Sequence, residues 1–227
     1  MREIIIWNDF CLEDDYDEIF DIQMRNLFNG KFDVCDSIYL GYDETRKWSE
    51  YVSQIPGIAL GKRPIKFCKE NYLVQMSRVF DGDRHVCGYQ LDEEQLQEYE
   101  KNGIHKNKII IHEDAIVEGY SIIYLLECIK KNGFLKDDTQ VEIYAFSVVE
   151  SGVEKICENH KNVSVHAAYR LTGNRKNKWD STILFLSDIL ERNSQGKMFL
   201  EDKHRFRQCF YSKYEEILEK CQNISNI

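Results

Sequence analysis

The centre of the chain alternates short apolar runs with helical patterns, and this alternation restricts the fold more than any other feature. Apolar runs over residues 108–112, 141–149 and 163–168 have the length and the β-branched content of strands. Between them, residues 118–132 and 151–159 repeat apolar side chains at helical spacing. Strands that alternate with helices favour a parallel sheet with helices on its faces. The sequence therefore predicts an α/β fold built on a helix-flanked parallel sheet.

Outside this centre, the sequence predicts further elements of both kinds. Strands are predicted over residues 3–7 and 33–41, and helices over residues 14–29, 45–55, 91–102, 180–192 and 201–222. Glycine and charge interrupt the periodicity over residues 61–90, so we expect a flexible excursion there, part of which fits a β-hairpin. We expect residues 1–178 to form the α/β core, with residues 179–227 as a helical C-terminal addition packed on it.

Charge and cysteine content restrict the partners and the cellular compartment. The 227 residues carry a formal net charge of −9, which disfavours a nucleic-acid or anionic-membrane surface. None of the 8 cysteines falls in a CxxC motif. No apolar stretch reaches the roughly 18 residues that a membrane helix needs. These features predict a reduced, cytoplasmic protein that spans no membrane.

The segment that follows the strand over residues 108–112 carries the side chains most typical of a ligand site. Glu113 and Asp114 come directly after the apolar run. Gly119 and Ser121 stand where the next helix begins. In parallel sheets, ligands bind beyond the carboxyl ends of the strands. Adjacent carboxylates can hold ribose hydroxyls or orient Mg²⁺ through its waters, and a glycine turn at a helix N-terminus can hold a phosphate. We therefore expect a ribose-phosphate or nucleotide ligand at this turn.

The run IIIHEDAIVEGYS resembles the motif with which type I phosphoribosyltransferases bind 5-phosphoribosyl 1-pyrophosphate (PRPP). The resemblance implies that Glu113 and Asp114 hold the ribose hydroxyls, act in catalysis and contact Mg²⁺ indirectly. It implies that Gly119 and Ser121 hold the 5-phosphate. It further implies the phosphoribosyltransferase fold, Mg²⁺ as cofactor and transfer of the phosphoribosyl group to a base. Glu118 stands where the family usually has threonine, which places a carboxylate beside the phosphate.

Positional matches extend the resemblance to basic residues earlier in the chain. Residues 41–46 follow the second predicted strand, where the family places its pyrophosphate loop, and Arg46 is the basic residue of this segment. Lys62 and Arg63 resemble the basic pair that some members direct at PRPP. Residues 67–90 would then form the loop that closes over the reaction.

Two further residues, His112 and Arg78, are candidates for a functional role. His112, at the end of the strand beside the acidic pair, is either a hydrogen-bonded structural imidazole or a general base. Arg78, within the irregular segment, is a candidate charge partner for a diphosphate.

Two other functions fit the same residues. The fold would also serve as a non-catalytic nucleotide-sensing or protein-interaction module. The apolar face of the helix over residues 201–222 would then bind a partner protein or a second copy in a homodimer. A nucleoside-processing enzyme would use the acidic pair on ribose, and Glu118 fits this function because a nucleoside has no 5-phosphate to repel.

Overall fold

The computed structural model describes residues 2–7, 18, 21, 22, 25, 35–60, 72–80, 86–101, 107–172 and 181–185. Contacts divide the chain into two compact units: Met1–Thr45 with Leu171–Ile227 (unit 1), and Arg46–Arg170 (unit 2). The strands and helices are, in chain order, β1 (Arg2–Trp7), β2 (Cys35–Leu40), α1 (Tyr42–Val52), β3 (Ile58–Leu60), β4 (Tyr72–Val74), β5 (Met76–Phe80), β6 (Val86–Leu91), α2 (Glu93–Lys101), β7 (Lys108–Ile116), α3 (Tyr120–Lys131), β8 (Gln140–Val149), α4 (Glu150–Asn159), β9 (Val163–Leu171) and β10 (Ser181–Phe185).

Unit 1 contains a three-stranded sheet with β1 between β10 and β2, and both pairings are parallel. Ile5 is the register partner of Ile38 on one side and of Ile183 on the other. Its side chain is buried, as are those of Ile6 and Trp7, so β1 is covered on both faces. The strand predicted over residues 3–7 is confirmed, and the one predicted over residues 33–41 is confirmed over Cys35–Leu40, while residues 33 and 34 lie outside the described residues.

The predicted helix over residues 180–192 is wrong at its start, because residues 181–185 form β10. Their sequence, STILF, contains two β-branched side chains, and each residue has a register partner in β1 from Glu3 to Trp7. An apolar run of this length does not distinguish a strand from a buried helix by its periodicity. The pairing with β1 is what makes residues 181–185 a strand. The remaining residues of this prediction, 186–192, lie outside those described.

Unit 2 is built on a five-stranded sheet in the order β4-β3-β7-β8-β9. The pairings of β4 with β3, β3 with β7 and β7 with β8 are parallel. Ile111 and Ile143 of the sheet are buried against Leu125 of α3 and Ile156 of α4, within one large apolar cluster. The predicted α/β class, with a parallel sheet flanked by helices, is confirmed.

The strand β3 was missed by the sequence patterns, although it lies inside the sheet. It is three residues long, all three buried, and it pairs with β4 and β7. Such a short run has no periodicity of its own, so its conformation depends on its two neighbours. Gly57, just before it, permits a close approach: a Cβ there would lie 2.7 Å from the backbone oxygen of Ile110.

The irregular segment over residues 61–90 contains more regular structure than its sequence indicates. β4 joins the main sheet, and β5 and β6 form the antiparallel hairpin that the sequence allowed. The polar helix α2 follows as predicted, and Asp92 caps it by accepting hydrogen bonds from the N–H groups of Glu94 and Gln95. The flexibility expected over residues 61–71 and 81–85 lies outside the described part of the chain.

The ends of the chain are described only in part. Residues 18, 21, 22 and 25 are helical, as the predicted helix over residues 14–29 requires. The helix predicted over residues 201–222 and the domain boundary predicted at 178–179 both lie outside the described residues. Within the described ranges, no helix is both long and apolar enough to cross a membrane.

Two glycines allow the first turns of α3 and α4 to approach each other. Gly119, the N-cap of α3, has a φ of 75°, and a Cβ there would lie 2.7 Å from the backbone oxygen of Gly152. A Cβ on Gly152 would in turn clash with the backbone of Val117. Glycine is therefore favoured at position 119 for two reasons: the backbone is left-handed, and the backbone of Gly152 lies too close for a side chain.

We expect Gly119→Ala to destabilise unit 2 more than Gly133→Ala. Gly133 has a similar φ of 82°, but a Cβ there would meet no atom within 4 Å. Gly133→Ala should cost about 1–2 kcal/mol for the left-handed backbone alone. Gly119→Ala should cost roughly 1–3 kcal/mol more, because of overpacking. Urea denaturation measures both losses, and equal losses would show that the contact between α3 and α4 is not tight.

Candidate functional site

The acidic pair lies within a strand, which corrects the turn expected from the sequence. β7 continues to Ile116, and Glu113 is the register partner of Ala145 in β8. The turn before α3 therefore begins after the pair, not at it. The strand extends because its register with β8 continues as far as Ile116 and Val148, which are both buried. The two carboxylates lie near the carboxyl end of an interior strand, where ligands bind in parallel sheets.

Glu113 occupies an environment that disfavours its charge. Burial raises the pKa of the Glu113 carboxyl well above its ordinary value of 4.5, and the neighbouring charge of Asp114 raises it further. The backbone N–H of Asp114 donates to Glu113 Oε1 at 3.2 Å, and this bond and the charge of Arg78 act in the opposite direction. Desolvation dominates, so Glu113 is a carboxyl group whose protonation responds to what binds beside it.

The hairpin contributes two residues to the surroundings of the acidic pair. Arg78 of β5 and Tyr89 of β6 are cross-strand partners. Burial raises the pKa of Tyr89; the positive charge of Arg78 lowers it, and the negative charges of Glu118 and Glu113 raise it. The ring of Tyr89 packs on Tyr124 of α3, with centroids 5.6 Å apart. The hairpin, β7 and the start of α3 therefore form one electrostatic neighbourhood.

Tyr89 was missed by sequence reasoning, which named Arg78 only as a candidate charge partner for a diphosphate. No motif identifies either residue, because both reach the acidic pair through the pairing of β5 with β6. The sequence contained only a weak signal for Tyr89, namely its position as the one aromatic residue in the middle of the segment VCGYQL.

The helix α3 begins without a side-chain cap. Its N-cap is Gly119, which has no side chain, and no side-chain hydrogen bond caps this end. The first backbone N–H groups of a helix lack partners within the helix and carry the positive end of its dipole. Ser121 is the second residue of the helix and is half-buried. The predicted start of a helix at Gly119 and Ser121 is confirmed, whereas the predicted contact with phosphate stays a prediction.

His112 has the structural role that the sequence allowed. Its side chain is 1% exposed, and burial lowers its pKa. Nε2 lies 2.7 Å from the backbone oxygen of Ile55, which can only accept, so Nε2 carries the proton. The ring also packs against Tyr144, with centroids 5.8 Å apart. A neutral, buried imidazole that bonds to a neighbouring loop supports the sheet.

Of the basic residues expected from the resemblance, the structure describes Arg46. Residues 42–46 are helical, so the pyrophosphate loop predicted over residues 41–46 is wrong as a loop beyond its first residue. Arg46 lies on α1, half-exposed, with its guanidinium 3.7 Å from Glu50 one turn further along. Lys62 and Arg63 lie outside the described residues. Their predicted binding roles stay predictions.

The acidic pair fits Mg²⁺ only with help from a ligand. Among the described residues, no group of three or more His, Cys, Asp or Glu side chains could hold a metal ion. Mg²⁺ commonly keeps several waters and binds one or two carboxylates together with phosphate oxygens of a substrate. Successive side chains of a strand point to opposite faces of the sheet, so Glu113 or Asp114 can supply one carboxylate, and the phosphate oxygens must come from the ligand.

Comparison with known proteins adds no family to this description. No family model matches the chain, and no curated protein matches it in sequence. Among solved structures, one titled "Structure of AQ2163 protein from Aquifex aeolicus" aligns with a TM-score of 0.33 and 11% sequence identity. The alignment spans 51% of this chain and 53% of that chain. A likeness of this size carries no argument about fold or function.

We expect Glu113→Gln to change how stability depends on pH. The folded pKa of Glu113 lies above its ordinary value of 4.5. Its contribution to the free energy of unfolding is therefore fully present below pH 4.5 and is lost as pH rises through the folded pKa. The wild type should lose stability relative to Glu113→Gln as pH increases. Urea denaturation over a pH series measures the difference.

The exposed Asp138 provides a matched control for this measurement. Asp138→Asn removes one carboxylate as well, but at a position where water solvates the charge. Its curve should run parallel to that of the wild type. Parallel curves for Glu113→Gln would contradict the desolvation of Glu113.

Proposed function

We propose that the protein binds a ribose-phosphate ligand, PRPP or a nucleotide, at the carboxyl end of β7, with Mg²⁺ as its cofactor. One observation carries the proposal. Glu113 and Asp114 lie near the end of an interior parallel strand. The helix that follows this strand has a glycine N-cap, so its first N–H groups have no side-chain cap. The carboxylates suit ribose hydroxyls, and the start of the helix suits a phosphate.

The state of Glu113 supports a role in binding hydroxyl groups. A desolvated carboxylate lacks the hydrogen bonds that water would supply, and its pKa is raised for this reason. A ribose hydroxyl donates a hydrogen bond to such a group and stabilises its ionised form. Asp114, the next residue, offers a second carboxylate within the same strand. The loss of free energy caused by burying Glu113 is then partly recovered when the ligand binds.

The start of α3 supports a role in binding phosphate. The uncapped N–H groups and the helix dipole favour an anion, and the hydroxyl of Ser121 lies in the first turn. Mg²⁺, when bound with such a ligand, supplies positive charge against its phosphate oxygens. On the type I phosphoribosyltransferase fold, which we propose for this chain, the reaction would be transfer of the phosphoribosyl group to a base, so the protein would be an enzyme of the glycosyltransferase class.

A second candidate function is favoured by Glu118. This residue is half-buried and directly precedes the N-cap of α3, and its negative charge acts on Tyr89. A carboxylate at this position repels a 5-phosphate but not an uncharged nucleoside. A nucleoside-processing enzyme, or a module that senses nucleosides, would keep the acidic pair for ribose and would use no phosphate site.

We expect PRPP with Mg²⁺ to raise the midpoint of thermal unfolding. A ligand at one hundred times its dissociation constant stabilises a protein by about 2.7 kcal/mol, which is easily measured. The shift should disappear in the Glu113→Gln/Asp114→Asn variant and persist in Asp138→Asn. Both variants remove carboxylates, two from β7 in the first and one from an exposed position in the control. If every ribose ligand leaves the wild-type midpoint unchanged, the proposed function is wrong.

We also expect Glu118→Gln to distinguish the two candidate functions. If the ligand carries a 5-phosphate, removing the neighbouring negative charge should tighten binding of the nucleotide roughly tenfold, with little change for the nucleoside. If the ligand is a nucleoside, the variant should bind both about as the wild type does. Isothermal titration with a nucleoside and its 5-monophosphate measures both affinities.

A further inference from the structure

Within unit 2, Glu113 lies on the side of the sheet that α3 covers. Ile111 stands two positions earlier in β7, and Ala145 of β8 is the register partner of Glu113. Both belong to the apolar cluster that includes residues of α3. Because successive side chains of a strand point to opposite faces, Glu113 projects on the α3 side and Asp114 on the other. The protein groups that complete a site with Glu113 therefore lie on the α3 side.

The hairpin of β5 and β6 places Tyr89 on this same side. The half-buried ring of Tyr89 packs on the ring of Tyr124 in α3, with centroids 5.6 Å apart. Arg78 lies directly across the hairpin from Tyr89. Directly opposed residues of an antiparallel pair project on one face, so the hairpin carries a phenol and a guanidinium on the face that packs on α3.

Electrostatic effects show that Glu113, Arg78 and Tyr89 are neighbours. Burial raises the pKa of Glu113 and of Tyr89, and the positive charge of Arg78 lowers both. The negative charge of Glu113 also raises the pKa of Tyr89. Such effects weaken with distance, so the three side chains lie close together. The ordinary pKa of Tyr89 is 10.0, so its raised pKa keeps the hydroxyl protonated at neutral pH.

The hydroxyl of Tyr89 is available to a ligand. In the described part of the chain, no residue hydrogen-bonds to it, although a half-buried tyrosine hydroxyl usually has a partner. The Glu113 carboxyl accepts one hydrogen bond, from the backbone N–H of Asp114, and has further acceptor capacity. A sugar hydroxyl can donate to Glu113 and accept from Tyr89 at the same time. A deoxy carbon can do neither.

We propose that Tyr89 is a specificity-determining residue that recognises, together with Glu113, one hydroxyl of the ribose. This inference rests on the proposed function, because it takes ribose as the group held at Glu113. The hydroxyl donates to a carboxyl oxygen of Glu113 and accepts from the hydroxyl of Tyr89. The ligand is then a ribose compound, and the site rejects the deoxy analogue that lacks this hydroxyl, since two protein groups would be left without their partner.

Isothermal titration with ribose 5-phosphate and Mg²⁺, and with its 2-deoxy and 3-deoxy analogues, tests this recognition. The wild type should bind one of the two analogues at least tenfold more weakly than ribose 5-phosphate. Tyr89→Phe should weaken binding of ribose 5-phosphate roughly tenfold, because it removes one hydrogen bond. The same variant should not weaken binding of that analogue, which has no hydroxyl to lose.

Tyr51→Phe is the matched control. It removes the same hydroxyl group from an exposed tyrosine of α1, and α1 packs on the face of the sheet opposite to α3. Its affinity for all three ligands should equal that of the wild type. Tyr89→Phe keeps the ring that packs on Tyr124, and its midpoint of thermal unfolding without ligand establishes that it folds.

Three results would overturn the recognition of a hydroxyl by Tyr89. They are wild-type affinities for both analogues that equal the affinity for ribose 5-phosphate, a folded Tyr89→Phe variant with unchanged affinity, and an equal loss for all three ligands. The wild-type comparison decides if the variant does not fold. Failure of the proposed function has a different result, in which the wild type binds no ribose ligand at all. Failure of this inference alone leaves ribose 5-phosphate bound equally by the wild type and by Tyr89→Phe.

Discussion

The burial of β7 between β3 and β8 is the constraint on which the rest of unit 2 depends. Ile109 and Ile111 belong to the large apolar cluster that includes α3 and α4, whereas Ile110 packs with Val52 and Tyr144 in a second cluster. A strand that is paired on both edges and covered on both faces has its backbone groups satisfied and its register specified. The acidic pair takes its position from this strand, and α3 takes its start from the turn that follows.

Burial also changes the acid–base properties of Glu113 in the acidic pair. A carboxylate at the end of an exposed strand would be solvated, and a bound hydroxyl would replace water with little gain. Glu113 instead loses much of its solvation, and this desolvation raises its pKa. Arg78 and the N–H of Asp114 compensate only in part. We propose that a ligand with hydroxyl groups, or Mg²⁺ with its waters, compensates for the rest.

Carboxylates lie beside the starts of two helices, one considered in each unit. Glu118 precedes the uncapped N-terminus of α3, and Glu44 occupies the N-terminus of α1 together with Asp21. Each unit therefore has a helix start that resembles a phosphate site in its backbone but not in its charge. Among the described helices, α3 and α4 both begin without a side-chain cap.

The sequence by itself determined the α/β class, the order of the central strands and helices, and the position of the acidic pair before a glycine-started helix. These features come from periodicity and from local turn chemistry, which neighbouring residues specify. Tertiary structure decided the rest. β3 and β10 are strands because their partners pair with them, the hairpin brings Tyr89 within range of the charge of Glu113, and Arg25 forms an ion pair with Glu44 across 19 positions of sequence. Contacts between distant residues leave no periodic signal, so only the folded chain specifies them.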